Sequence, residues 1–492
     1  MYALIDSHFK NLGVGERSDL HGEFIPYGLS ILDNALRDAG YQGHLLLAPW
    51  DYDDFVRRHA EVSSEIRLIG IGCSTWTRFD GAEKIAKCRE LFPHALIVAG
   101  GPHFGNCAED ALTNITALDI VVRGEADEVI VLLMEHALSR RSLESIQGIS
   151  YRNAAGEIVN QGKKLVVSNL PSIRFMERFF SKDIFDNNPL HPEMPIPSMN
   201  ILAGRGCYFA CIFCCVNRVK NRMYPVTEIV DVIESTSRNY GIKGVKFYDD
   251  ALTLNEEYLR SLCEEIIVRK LEIYWFCDSR ANIDLDLLPL MYKAGCRFIA
   301  VGLETGSRRI QKIIRKKISN DQIYAFTKKC HDVGIATYVF LMVGFPDETR
   351  EDLDETIRIS ARLSRECKAI AGGMGATVIL PGTELEKIAR ERGILARDFS
   401  WHKPYSNDAN LSFDTSPSMP LYLEHLTVEE YQRAKRLLLA NYASSMGAVK
   451  FMTSVVENLM RNDIGWRQKF ELARCVLNAK LKSLFGKRGA PL

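Results

Sequence analysis

The sequence predicts an α/β protein: a doubly wound parallel sheet over residues 1–145, a second run of strand–helix repeats over 198–394, and a mainly helical C-terminal region over 395–492. Three observations carry this. Short apolar runs alternate with helical periodicity through the first domain, the pattern of parallel strands joined by crossover helices. The same alternation returns after residue 198 and repeats six times. Between the two, Pro189, Pro192, Pro195 and Pro197 hold an extended stretch that cannot be helical.

In the first domain, residues 3–6 read as a short apolar strand, 27–39 as a helix ending at Gly40, 44–47 as a strand and 53–61 as a polar helix. Residues 68–73 form a buried strand, 81–92 a helix, and 95–99 a strand closed by Gly100-Gly101-Pro102. Residues 120–122 are a strand, with a helix following over 128–138. A sheet of this kind binds ligands at the carboxyl ends of its strands. Residues 146–197 read as a connector: a hairpin turning at Asn153-Ala154-Ala155-Gly156, then the prolines. In the second domain the candidate strands are 200–203, 244–248, 273–278, 298–302, 337–343 and 375–380, with helices such as 227–240, 285–294 and 321–333 between them. Helical runs at 428–443 and 449–460 predict a cap over the second domain's mouth. Trp401 and Trp466 there read as packing core, His402 and Tyr405 as substrate candidates in a polar loop, and the Lys480, Lys482, Lys487, Arg488 tail as a solvated helix end.

A chain of 492 residues fits about three domains. Its 62 Lys and Arg balance 62 Asp and Glu, which gives no support to a nucleic-acid partner. No apolar run reaches ~18 residues, so no membrane span is expected. Residues 1–6 read as a strand and lack a charged leader, so the expected location is cytoplasmic. Thirteen cysteines at scattered spacings argue against a secreted disulfide framework. Cys73, Cys88, Cys263, Cys296 and Cys330 lie in apolar segments and read as small core residues.

The chemistry concentrates in Cys207, Cys211 and Cys214, spaced C-x3-C-x2-C after Gly204-Arg205-Gly206. Three thiolates on one short loop suit three corners of an iron–sulfur cube. Ordinary 4Fe–4S clusters take four cysteines, so one iron stays open, as in metal sites that do chemistry. The competing reading is a zinc knuckle with adjacent Cys215 or a distant residue as fourth ligand, although zinc sites usually pair their ligands in two separated units. Cys215 reads as a packing cysteine; an exchange of roles with Cys214 stays open. The spacing, the aromatic Phe213 before the third cysteine and the strand-like residues 199–203 resemble the radical S-adenosylmethionine (radical SAM) superfamily. That resemblance implies a partial (β/α)6 barrel and a 4Fe–4S cluster on Cys207, Cys211 and Cys214. It also implies S-adenosylmethionine chelated by the open iron, its reductive cleavage to a 5′-deoxyadenosyl radical, and an electron donor such as flavodoxin or ferredoxin.

Chemistry on α/β barrels lies at the carboxyl ends of the strands. The second strand ends in Phe247-Tyr248-Asp249-Asp250, where the family meets the methionyl ammonium. Family members often carry Gly-Gly-Glu there, so the choice between Asp249 and Asp250 is open. Arg280 closes the third strand and suits the methionyl carboxylate or the substrate. Glu304, in Gly302-Leu303-Glu304-Thr305-Gly306, suits the ribose hydroxyls. Gly344-Phe345-Pro346-Asp347-Glu348-Thr349 looks like the family's Gly-Phe-Pro-Gly-Glu-Thr string and implies adenine resting on backbone. Its acids read as caps of the helix that follows.

Upstream, Ile71-Gly72-Cys73-Ser74-Thr75, Val98-Ala99-Gly100-Gly101-Pro102-His103 and Val122-Arg123-Gly124-Glu125 resemble the cobalamin-binding domain that precedes many radical SAM barrels. Ser74 and Thr75 put hydroxyls at a strand end, and Gly100 and Gly101 let backbone approach a ligand closely. Asp6-Ser7-His8-Phe9-Lys10-Asn11 departs from the family's Asp-x-His-x-x-Gly string at Asn11, so His8 is an unassigned polar residue. With both cofactors, the resemblance implies cobalamin-dependent methyl transfer to an unactivated carbon of a small molecule. The alternative is radical rearrangement, cyclisation or dehydration, with the first domain a scaffold.

Overall fold

The structure is a computed structural model that describes residues 1–7, 26–47, 49–216, 218–371 and 374–445. His8, Asn11, Trp466, the 449–460 helix and the basic tail lie outside the described residues. The chain divides into two compact units. Among the described residues, one runs through Asn188 and takes in Leu380–Ser406; the other holds Pro189–Ile379 and Asn407–Ser445.

The first unit is built on β1 (Tyr2–Asp6), β2 (Gly43–Leu46), β3 (Leu68–Gly72), β4 (Leu96–Gly100), β5 (Ile120–Val122), β6 (Ile149–Arg152) and β7 (Ile158–Gln161). They lie in the order β2-β1-β3-β4-β5-β6-β7, with β1–β5 parallel and β6 and β7 antiparallel. Alternate residues of each strand face opposite sides. Ala3, Ile5, Ile69, Ile71, Ile97 and Ala99 enter one core with Ile85 and Phe104; Tyr2, Leu4, Leu68, Val98 and Ile120 enter the other with Leu36, Leu133 and Met134. An apolar strand with two covered faces is what makes the sheet doubly wound. Each fully buried Leu or Ile contributes about 1.5–3 kcal/mol. Gly70 in β3 leaves room for Leu4, whose Cδ2 would lie 2.7 Å from a β-carbon there and would have to shift. Buried Asp33 accepts bonds from Tyr2 Oη at 2.6 Å, Arg37 Nε at 2.9 Å and Arg178 Nη2 at 2.8 Å, which pins the helix Tyr27–Asp38 to the sheet.

Two boundaries differ from the sequence reading. The 149–159 hairpin is not part of a connector: as β6 and β7 it extends the first sheet, Ile149 pairing with Val122. Segment Leu380–Ser406, expected to divide between barrel and cap, belongs to the first unit. Its Trp401 is 1% exposed and takes part in the core there, with Nε1 donating to Glu386 Oε1 at 2.9 Å.

The second unit carries β8 (Pro189–His191), β9 (Met194–Ile201), the short pair β10 (Gly204–Arg205) and β11 (Arg222–Met223), then β12 (Gly244–Phe247), β13 (Tyr274–Ser279), β14 (Cys296–Glu304), β15 (Ala336–Val343) and β16 (Met374–Ala376). The sheet order is β16-β15-β14-β13-β12-β9-β8. Six strands, β9 and β12–β16, run parallel and in chain order, each joined to the next by a crossover, as a six-strand half-barrel demands. The proline stretch is extended, as expected, but it is strand: β8 and the start of β9 pair antiparallel. Helix Val428–Ser445 packs along the crossover helix Arg350–Cys367, with Arg433 Nη1 2.8 Å from Asp354 Oδ1. The described part of the helical region therefore buttresses the barrel flank. No described helix is long and apolar enough to cross a membrane.

Candidate active site and cofactor-binding strand ends

The cysteine loop leaves β9 and is clasped by the β10–β11 pair. Within it Val219 N donates to Cys207 O at 3.0 Å, Arg218 N to Phe209 O at 2.9 Å, and Asn221 Nδ2 to Gly206 O at 2.9 Å. Gly206 has φ +93°, and a β-carbon there would meet Lys220 O at 2.6 Å, so the Gly before the first cysteine is dictated by this fold-back. Ile212 N donates to Ile314 O at 3.2 Å, which ties the loop to the segment after β14.

Each of the three sulfurs is offered an N–H. Val216 N donates to Cys214 Sγ at 3.4 Å, Arg280 Nη1 lies 3.8 Å from Cys211 Sγ, and the Phe209 backbone bonds Cys207. Such donors favour the thiolate and tune iron–sulfur clusters. Burial pushes the Cys207 thiol up and the Cys214 thiol up to about 12, so a metal must supply the charge that removes their protons. Among the described residues, no group that includes these cysteines brings three ligand atoms within 4.8 Å, as a single ion requires. Three thiols on one loop, each with an N–H donor at its sulfur, are a donor set that fits three corners of an iron–sulfur cube.

Around this loop the barrel presents a set of charges. Asp249 is 3% exposed and accepts from Ala203 N at 3.0 Å. Asp250 is exposed, and its Oδ2 accepts from Gly206 N at 3.3 Å. Asp278, on β13, raises the local negative charge further. Burial and then Asp250 push its carboxyl up to about 6. Sequence reasoning missed Asp278, although it shares a strand face with Phe276 and Arg280 at period two, and that spacing was the available signal. Arg280 is not free to meet a ligand: its guanidinium lies 3.6 Å over the Phe209 ring, bonds Lys316 O and Asn282 Oδ1, and reaches Cys211. Glu304 pairs with Lys316 Nζ at 2.8 Å, both side chains being under a tenth exposed. It sits at φ +66°, where β14 shifts register, the kind of backbone strain that a packed site sustains. Lys316 lies in a run of three basic residues, and nothing in the sequence distinguishes it from its neighbours.

Phe213 packs against Phe345, ring centroids 5.8 Å apart, so the cysteine loop meets the end of β15. The Gly344 and Phe345 N–H groups both donate to Glu348 Oε2, at 2.5 and 3.1 Å, so this backbone is occupied by its own side chain. Thr349 forms a capping box with Asp352 for Arg350–Cys367, so of the expected caps Asp347, Glu348 and Thr349 the hydroxyl serves, whereas Glu348 is turned back to the strand end.

In the first unit, the ends of β1 and β3 are joined by hydroxyls. Ser7 Oγ lies 2.6 Å from Thr77 Oγ1, which is 3.2 Å from Ser74 Oγ. This is where the strand order reverses, β1 lying between β2 and β3, so the site matches the ligand crevice of open α/β sheets. Thr75 Oγ1 is turned to His103 Nδ1 at 3.3 Å. Gly101 has φ +86°, and a β-carbon there would press on Cys73 O at 3.2 Å; Gly100 has only Val122 Cβ nearby, at 3.8 Å. The hydroxyl cluster and the bare Gly100 edge suit the polar tail of cobalamin.

Residues 17–133 match the B12 binding domain family, and residues 201–359 match the radical SAM superfamily. An uncharacterized methyltransferase of Pyrococcus horikoshii is 26% identical over 377 residues, covering 75% of this chain and 80% of the relative. The anaerobic magnesium-protoporphyrin IX monomethyl ester cyclase of Cereibacter sphaeroides is 25% identical over 359 residues, covering 70% of this chain but only 57% of the cyclase. In fold, the chain is similar to the radical S-adenosylmethionine methyltransferase TsrM from Kitasatospora setae with cobalamin and a [4Fe-4S] cluster bound. That likeness has a TM-score of 0.64 and 18% identity, covering 97% and 99% of the two chains. The cobalamin-dependent radical enzyme OxsB gives a TM-score of 0.68 at 14% identity, covering 98% of this chain and 71% of OxsB. The chain thus carries a B12-binding domain at residues 17–133 ahead of a radical SAM domain at residues 201–359, the pairing of an enzyme whose cofactors are a 4Fe–4S cluster, S-adenosylmethionine and cobalamin.

Proposed function

We propose that this enzyme transfers a methyl group to an unactivated carbon of a small molecule. When bound, the cluster and S-adenosylmethionine supply a 5′-deoxyadenosyl radical that removes hydrogen, and cobalamin supplies the methyl group. The observation that carries this is the presence in one chain of the C-x3-C-x2-C loop at a barrel strand end and of a B12-binding domain.

The chain's own residues have separable tasks. Cys207, Cys211 and Cys214 hold three irons. Arg280 orients the loop through Phe209, Cys211 and Lys316 O, which makes it a positioning residue rather than a ligand to the methionyl carboxylate. Asp250, exposed beside the loop with Asp278 near it, receives the methionyl ammonium, whereas buried Asp249 fixes the Ala203 backbone. A cation lowers the repulsion between Asp250 and Asp278, so its binding is coupled to their ionisation. Phe213 and Phe345 form an apolar wall for the adenosyl group. Glu304 faces the ribose with Lys316 fixing its carboxylate. Ser74 and Gly100 contact the cobalamin tail, while Thr75 and Gly101 shape that edge through His103 and Cys73. Electrons come from a flavodoxin or ferredoxin.

Among relatives, one named methyltransferase acts on cytidylyl-2-hydroxyethylphosphonate and another on tryptophan, which supports a small-molecule substrate. The cyclases among them favour one second reading: ring formation, with the B12-binding domain a scaffold. The deciding experiment is anaerobic reconstitution with iron, sulfide, cobalamin and methyl-labelled S-adenosylmethionine. Iron and cobalt uptake, 5′-deoxyadenosine release and a product heavier by one methylene support methyl transfer. Nucleoside release with no cobalt uptake sends the assignment to the second reading, and no nucleoside release refutes both.

A further inference from the structure

Three ligand-type side chains converge in the first unit, and only His103 among them bears on the proposed reaction, through its Nδ1 contact with Thr75. His103 Nε2 lies 3.1 Å from His402 Nε2 and 3.6 Å from Cys107 Sγ, and the three atoms all fall within 4.8 Å of one another. His103 is fully buried, the His402 side chain is fully buried, and Cys107 is half-buried.

The outer nitrogens of both rings are already engaged. His402 Nδ1 is 2.8 Å from Asp110 Oδ2, and His103 Nδ1 is 3.3 Å from Thr75 Oγ1. Both Nε2 atoms are thereby turned inward, toward each other and toward one sulfur. As a hydrogen-bonded pair, two imidazoles share a single proton at that contact, and the thiol gains little from joining them. As ligands, all three satisfy their lone pairs at once. A tetrahedral zinc with Zn–N near 2.05 Å and Zn–S near 2.3 Å separates its nitrogens by about 3.4 Å and nitrogen from sulfur by about 3.6 Å. The observed separations are 3.1 and 3.6 Å. The Asp110–His402 contact has the form of the carboxylate partner that orients metal-bound histidine.

We infer that Cys107, His103 and His402 bind a divalent zinc ion that fastens the Leu380–Ser406 segment to the B12-binding sheet. Two imidazoles and one thiolate are a zinc-type ligand set. The Cys107 thiolate and the Asp110 carboxylate cancel the two charges of the ion. Arg78, the neighbouring cation, is bonded to the carbonyls of Thr75 at 2.7 Å and Trp401 at 3.0 Å. The thiol proton leaves to solvent as zinc binds, and no electron is transferred. The fourth position is open to water. The site brings together residues 299 positions apart, which explains why the spacing of the sequence does not announce it.

The test uses the full chain carrying Cys207→Ala, Cys211→Ala and Cys214→Ala, so that the cluster thiols do not compete. This protein should retain one zinc per chain through gel filtration. With cobalt(II) as probe it should show a thiolate-to-cobalt charge-transfer band that disappears on Cys107→Ser. His402→Gln should abolish retention of zinc, and Asp110→Asn, which keeps every ligand, should weaken it by about 10–100-fold. Natively folded triple variant that retains no zinc overturns the inference. So does stoichiometric zinc that survives both Cys107→Ser and His402→Gln. An unchanged zinc affinity in Asp110→Asn removes the role assigned to that carboxylate.

Discussion

Asp249 gives the most quantitative test of how the barrel end is built. Its side chain is 3% exposed; Oδ2 accepts from Ala203 N at 3.0 Å, and Oδ1 has no partner among the described residues. Burial, the largest cause, pushes its carboxyl up from 3.8 to about 7. The folded protein therefore holds this proton more tightly than the unfolded chain. The stability it contributes is complete below 3.8 and is lost as pH rises through about 7. At about 1.36 kcal/mol for each tenfold step, the whole span comes to about 4 kcal/mol, of which about 2.5 kcal/mol falls between pH 5 and pH 8. Asp249→Asn keeps an oxygen for the Ala203 amide and puts an N–H where the acid proton sits. Pulse proteolysis in urea on the wild type and the variant isolates this one group, because the other acids cancel in the difference. The variant should gain about 2.5 kcal/mol on the wild type from pH 5 to pH 8. A difference that stays constant with pH, or that moves the other way, refutes the buried neutral carboxyl.

Three further outcomes follow from the same site. Cys211→Ala should abolish 5′-deoxyadenosine formation and leave cobalamin uptake intact; retained cleavage would contradict the ligand assignment. Arg280→Gln removes a cation next to the Cys211 sulfur, so the reduced cluster loses on the order of 1 kcal/mol of stabilisation and its potential falls. An electron paramagnetic resonance redox titration reads this directly, and an unchanged or raised potential would rule out the tuning role. Lys316→Met leaves Glu304 buried without its partner and should destabilise the second unit by about 3–5 kcal/mol, with much of the loss recovered when Glu304→Gln is added. Urea midpoints of the single and double variants decide it.

The elements legible in the sequence were those whose signal is local. Strand runs such as Ile69, Gly70 and Ile71 are apolar on both faces because both faces are covered, and they were found within a residue or two. The 149–159 hairpin was also found, but its destination was not. Whether a hairpin stands alone or extends a sheet depends on what its edge meets, here Val122 of β5, and no local pattern encodes that. Leu380–Ser406 shows the same limit on a larger scale. Its helix at Glu384–Glu391 looks like the helix of the sixth barrel repeat, yet Trp401 and His402 are buried in the first unit.

The site divides along the same line. Cys207, Cys211 and Cys214 stand out in the sequence because one loop carries all three thiols, so their spacing is itself the geometry a cluster would meet. Arg280 illustrates the converse. At a strand end, an arginine is equally suited to hold a carboxylate or to brace a loop, and residue type cannot choose. The choice was made by Phe209, two residues after the first cysteine, whose ring lies 3.6 Å from the guanidinium, and by the Lys316 carbonyl beyond β14. A cation committed to an aromatic face, a thiol and a carbonyl has few donors left for a ligand. The charge still acts on whatever the thiols hold, because an electrostatic influence does not need a free hydrogen bond. Arg280 thus bears on electron transfer into the site more than on recognition within it. That is why a redox potential, rather than a Michaelis constant, is the measurement to which its substitution should speak.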